Sequence, residues 1–166
     1  MVNALHSDVA VVVWPWLFPA TYLAHIAEEY WGGGGFSLHQ FKKQGIVFTT
    51  QRFLALTGVG FVLIVVGIIL GEAFGFLEVI LVILGTVVLA NGLSHTVSWI
   101  VEAEYNPGLI TGLLIWIPLG AATLYARGGG MRWRSYLIAV GVGIGVQAVV
   151  TALASRGEKK LKENEE

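Results

Sequence analysis

The sequence holds few ionisable side chains, and several recur at spacings that would let them act together. His25, Glu28 and Glu29 stand at i, i+3 and i+4 and would share one face of a helix. Asn91, His95, Ser98 and Glu102 follow i, i+4, i+7 and i+11, a second single face, with Ser94 flanking it and Tyr105 just beyond. Two imidazoles with several carboxylates and no sulfur suit a divalent metal: zinc foremost, iron or manganese as alternatives. The spacing H-x-x-E-E lies one residue from H-x-x-E-H, in which i and i+4 ligate zinc and the intervening Glu is the base. On that pattern His25, Glu29 and His95 are metal ligands, and Glu28 activates water at the open position. Glu102 is a further ligand, able with Glu28 to bridge a second ion as in carboxylate-rich bundles. Tyr105 or the Asn91 amide would donate a hydrogen bond to a developing oxyanion.

The elements that must carry these residues are long and apolar. Residues 9–27, 53–71, 79–101, 105–126 and 135–155 contain no Asp, Glu, Lys or Arg. Each run approaches the ~20 residues that a helix needs to cross the hydrocarbon core. A bilayer offers the backbone no water, so such runs must be helical. The expected fold is all-α, a polytopic membrane helix bundle of about five transmembrane helices in a single domain over 1–155. The spans fall near 9–30, 53–71, 77–101, 107–126 and 134–155, and 156–166 forms a charged, solvated tail.

Composition agrees. Of 166 residues, 55% are hydrophobic and 13% charged, against roughly a quarter charged in a soluble domain. The same figures exclude a disordered chain, which would be polar. A net charge of -1 provides no basic field for nucleic acid. The absence of cysteine excludes disulfides, thiolate zinc sites and cysteine nucleophiles. The first span is not read as a cleaved signal peptide: it lacks a basic start and a small-residue cleavage site and carries Trp14-Pro15-Trp16 and Pro19.

Parity brings the two polar faces together. Spans one and three run in the same direction, so their C-terminal ends emerge on one side, where span four begins. His25, Glu28, Glu29, Asn91, His95, Glu102 and Tyr105 therefore belong to one leaflet. With the N-terminus outside, Lys42, Lys43, Arg52, Arg156, Lys159, Lys160 and Lys162 lie inside, against Arg127, Arg132 and Arg134 outside. The positive-inside tendency favours that orientation, with the polar leaflet and the C-terminus cytoplasmic. Gly58, Gly60 and Gly67 in span two and Gly141, Gly143 and Gly145 in span five read as sites of close helix approach. Trp14, Trp16, Trp31, Trp99 and Trp133 read as interfacial belt residues. Trp116 and Pro118 fall within span four and could line a cavity. His6 and His39, unaccompanied, read as structural.

Three short motifs also carry a resemblance: His25-Ile-Ala-Glu28-Glu29, Asn91-Gly-Leu-Ser-His95 and Tyr105-Asn-Pro107-Gly108. In order and together, they resemble the HxxEE, NxxxH and YxPG motifs of the HXXEE family of small bacterial and archaeal membrane proteins. The resemblance implies an integral membrane protein of a prokaryote, with metal binding or enzymatic activity suspected and no reaction assigned. The residues themselves favour a metal-dependent hydrolase, or an oxidase, acting on a lipid-like substrate from the bilayer. Two other readings stand beside it: a small transporter or proton-coupled carrier, for which a homodimer would supply symmetry, and a non-catalytic membrane interaction module. A carrier would continue its polar path through Thr21, Thr57, Thr86, Thr123 and Gln147.

Overall fold

The computed structural model describes residues 13–39, 45–47, 49–155 and 158–159. A 3₁₀ turn at Trp14–Trp16 runs into α1 (Leu17–Trp31), followed by α2 (Thr50–Phe74) and α3 (Leu77–Glu102). After an irregular turn come α4 (Leu109–Gly128) and α5 (Trp133–Ala154). The chain is an all-α helical bundle. Four helices, α2 to α5, are long and apolar enough to cross a membrane, which marks an integral membrane protein. Of the first expected span, residues 9–12 lie outside the described residues, and most of the remainder forms the 3₁₀ turn and α1.

Helix boundaries follow local chemistry. Thr49 caps α2 by accepting the Arg52 N–H on its hydroxyl. Gly75 stops that helix at a φ of 75°, in the left-handed region that glycine enters without strain. Pro15 sits in the first turn of the N-terminal segment, where its missing N–H costs nothing. Inside α4, residues Gly112–Trp116 form a π turn two residues before Pro118. Proline brings no N–H to bond back one turn, and the helix widens there.

The centre of the bundle is α3, with α4 and α5 packed along it and α2 more loosely beside it. The tightest approach is between α3 and α4. A Cβ built on Gly92 would stand 2.7 Å from the Gly112 carbonyl oxygen, and one on Gly120 would stand 2.6 Å from that of Gly85. Close packing in span five rests on Gly143 alone, against Thr86; Gly58, Gly141 and Gly145 face open space. The expectation for those three glycines is corrected, because periodicity does not tell which side of a uniformly apolar helix meets protein. The outer surface is apolar, with Val59, Leu63, Ile100, Leu114 and Ile138 more than half exposed, as lipid contact requires.

Connections sort by side as parity demands. Arg127 Nη1 meets Glu78 Oε1 at 2.9 Å, linking the first turn of α3 to the end of α4. At the other end, Ile46–Val47 pairs antiparallel with Glu158–Lys159, which ties these two tail residues to the α1–α2 connection. Trp14 is also reassigned: its indole N–H donates to Thr123 Oγ1 at 3.1 Å, inside the bundle instead of in an interfacial belt. Trp16, Trp31, Trp99 and Trp133 are exposed, and His6 lies outside the described residues.

Candidate metal centre

The last turns of α1, the C-terminal half of α3 and the first turn of α4 converge on one point. His25 is carried by α1 and is buried to 2% exposure. Its Nε2 lies 3.5 Å from Glu29 Oε1, one helical turn on. From α3, His95 Nε2 approaches the same oxygen at 3.6 Å. One ligand atom from each of these three residues falls within 4.8 Å of the others, the arrangement of a site able to hold a metal ion. The two separations from Glu29 are those of neighbouring ligand atoms around a shared metal ion, since ligands about 2.0–2.1 Å from a tetrahedral ion stand about 3.4 Å apart. They are also long for direct hydrogen bonds, and the buried His25 Nε2 has no hydrogen-bond partner.

The opposite edge of each imidazole is held. Asn106 Nδ2 donates to the His95 carbonyl at 3.0 Å, which turns its Oδ1 toward His95 Nδ1 at 2.6 Å. Oxygen only accepts here, so His95 carries its proton on Nδ1. Thr111 Oγ1 donates to Glu28 Oε2 and lies 2.7 Å from His25 Nδ1. A carboxylate only accepts, so the one hydroxyl proton goes to Glu28, and His25 Nδ1–H donates to Thr111. Both networks turn Nε2 of each ring toward the Glu29 carboxylate. Metal-binding histidines have this outer support. Trp116 stacks on His25 with ring centroids 3.7 Å apart, and Tyr22 lies nearly parallel to the tryptophan with centroids 6.1 Å apart.

The turn between α3 and α4 is built around the two rings. Gly108 has a φ of 96°, and a Cβ there would come within 2.7 Å of His95 Cε1 and 2.8 Å of His25 Cε1. Pro107 and Asn106 beside it are buried. Tyr105, on the surface of the turn, donates its hydroxyl to Glu28 Oε1 at 2.8 Å. Burial pushes the phenol pKa up to about 12, reinforced by that bond and by the negative charge of Glu28.

Glu28, expected as the base, accepts hydrogen bonds on both of its carboxylate oxygens. Its Oε1 also accepts the Ile110 N–H at 2.9 Å, and its Oε2 the Thr111 N–H at 2.7 Å. These are two of the unsatisfied N–H groups in the first turn of α4, so a carboxylate from another span caps that helix. With four hydrogen bonds accepted, Glu28 is engaged as a cap and an outer support of His25. Glu102 stands apart from the three clustered ligands, bonded to Ser98 Oγ at 3.5 Å in a shallow surface groove with Leu93, Val97 and Val101.

A cavity of about 300 Å³ opens from the cluster, and Tyr22, Asn91, Ser94, Ser98, Trp116 and Gln147 contribute to its wall together with the ligand residues. Asn91 lines it and its buried Oδ1 lacks a partner. His39 lines it too, which its isolation in sequence did not indicate. Glu28 and Tyr105 lie outside that wall. Sequence reasoning missed Asn106, Gly108 and Thr111 as working residues. Asn106 and Gly108 were within a motif already in view, and Thr111 was legible as the hydroxyl at the third position of a helix following a Pro-Gly turn.

Residues 16–123 match the family described as "Protein of unknown function with HXXEE motif". No curated protein and no solved structure matches the chain. The matched segment contains the three clustered ligands, the capping Glu28 and the whole Tyr105–Gly108 turn, and the chain belongs to this HXXEE-motif family.

Proposed function

We propose that the protein is a metal-dependent hydrolase that acts on a hydrophobic, lipid-like substrate reaching the site from the bilayer. The observation that carries the reading is the set of three ligand atoms, His25 Nε2, His95 Nε2 and a Glu29 oxygen, beside a cavity within a membrane bundle. Zinc is the favoured ion, iron or manganese the alternatives. When bound, such an ion supplies Lewis acidity toward a carbonyl and lowers the pKa of water. The chain does the rest. Thr111 and Asn106 fix the two ring orientations, Trp116 covers the face of His25, and on this reading the Asn91 amide, from the cavity wall, would donate to an oxyanion. On this reading Glu28 and Tyr105 act through α4 and His25 and do not touch the substrate.

Less supports a carrier. Thr21, Thr57, Thr86 and Thr123 each return their hydroxyl to a carbonyl of their own helix and add no continuous polar path. Elemental analysis of the purified protein tests the main reading. About one equivalent of zinc, lost in His25→Ala, Glu29→Ala and His95→Ala variants that remain folded, is expected. A folded wild-type protein that takes up no divalent metal on loading overturns it.

A further inference from the structure

Hydrolysis needs a group that takes a proton from water, and Glu28, bonded through both oxygens, lies outside the cavity wall. Among the described residues, the titratable side chains in that wall are Tyr22, His25, Glu29, His39 and His95. Three of them are the clustered ligands, whose accepting atoms are those a metal ion would occupy. The Tyr22 hydroxyl donates to the Thr57 carbonyl at 3.1 Å, and a phenol keeps its proton at neutral pH. His39 stands outside the ligand cluster. It brings to the wall an imidazole, the side chain whose ordinary pKa lies nearest neutrality.

The chain places His39 by a turn that calls for glycine. α1 ends at Trp31, and Gly33, Gly34 and Gly35 follow with φ of 58°, 90° and 87°. A residue with a Cβ rarely enters that region once, and here it is entered three times in succession. Neighbours also press on the turn. A Cβ on Gly35 would stand 2.6 Å from the Tyr30 carbonyl oxygen, and one on Gly33 would stand 3.0 Å from the Tyr105 ring. The chain is thereby held against the end of α1. Residues 36–39 then form a helical turn, the His39 N–H donating to the Gly35 carbonyl at 3.1 Å. Phe36 seats this turn against buried Phe53 of α2, with ring centroids 6.1 Å apart. Phe36, His39 and Phe53 all belong to the cavity wall.

We infer that His39 is the catalytic base of this site, carried into the cavity by the glycine turn and distinct from the metal ligands. The inference rests on the proposed hydrolase reading. His39 takes one proton from the water whose oxygen adds to the acyl carbon of an ester or amide. The bond from that carbon to the alcohol oxygen or amine nitrogen breaks, and the protonated ring returns its proton to the leaving atom. The second water proton ionises from the acid product.

The proton transfer can be read without turnover. The probe is octanohydroxamic acid, a neutral molecule that gives up its N–OH proton when it chelates zinc, so its binding also needs a proton acceptor. It is titrated into the full-length, zinc-loaded protein in nanodiscs, with ¹⁵N-labelled histidine rings observed by NMR. The His39 signals are those missing in His39→Gln. At about pH 7.5, a unit above the ordinary imidazole value, the His39 ring is expected to pass from neutral to doubly protonated as the hydroxamate binds. His39→Gln is expected to keep its zinc and to bind the hydroxamate at least tenfold more weakly. A helix-packing role for His39 would not produce the change of charge. A ring already charged before addition, a neutral ring with hydroxamate bound, no hydroxamate binding, or loss of zinc in folded His39→Gln overturns the inference, the last by making His39 a ligand. Each of those outcomes leaves the metal site standing, whereas a folded protein that takes up no zinc sinks the hydrolase reading itself.

Discussion

Thr111 and His25 lie on different spans, yet the threonine hydroxyl stands 2.7 Å from the imidazole Nδ1. Because its own proton is committed to Glu28, the hydroxyl acts toward His25 as an acceptor. The start of α4 thereby sets which nitrogen of a histidine on α1 keeps a lone pair for a metal. Removing the hydroxyl in Thr111→Val is expected to lower zinc affinity by about 10–100-fold, the usual cost of losing an outer support. Thr111→Ser should retain it. Competition against a chelator of known affinity measures both, and equal affinity for the valine variant and wild type would remove the relay.

Glu28 separates a capping role from a catalytic one. In Glu28→Gln an NH₂ replaces one accepting oxygen opposite α4 donors, and a bond lost there costs about 1–3 kcal/mol. Thermal unfolding in detergent is expected to shift downward accordingly. Unchanged stability with abolished turnover would instead restore the free-base role.

Gly108 is irreplaceable on two counts, a φ of 96° and the proximity of both imidazoles. Gly108→Ala adds left-handed strain of order 1–3 kcal/mol and pushes the rings apart. Metal content is expected to fall together with the unfolding temperature. Wild-type zinc in this variant would contradict the packing described.

Two glycines on helix interiors should respond with opposite signs. Gly141→Ala faces open space and gains about 1 kcal/mol of helix preference. Gly92→Ala gains the same preference, but its Cβ would lie 2.7 Å from the Gly112 oxygen, and overpacking of that kind costs about 1–3 kcal/mol. Paired unfolding curves test the contrast, and identical shifts would refute the α3–α4 approach.

Tyr105 supplies a pH signature outside the spans. Its phenol is pushed up from 10.0 to about 12, so the folded state holds the proton more tightly than the unfolded one. That contribution to stability is complete below pH 10 and disappears as pH rises toward 12. The absorbance difference at about 295 nm between wild type and Tyr105→Phe should titrate with a midpoint near 12. A midpoint near 10 would mean that the bond to Glu28 is absent.

The helices and their sides were legible in the linear order of residues. Charge-free runs located α2 to α5 to within a few residues, because no other backbone conformation satisfies its hydrogen bonds in lipid. Parity assigned His25 and His95 to one leaflet by counting crossings alone. Tertiary structure decided the rest. Periodicity put Glu28, Glu29, His95 and Glu102 on suitable faces, but a face says nothing about which helix it meets. Only packing turned Glu29 toward both imidazoles, gave Glu28 to the N-terminus of α4, and left Glu102 with Ser98. Thr111 and Asn106 acquired their roles across 86 and 11 residues of chain, from hydrogen bonds whose partners are selected by three-dimensional distance, which sequence spacing does not encode.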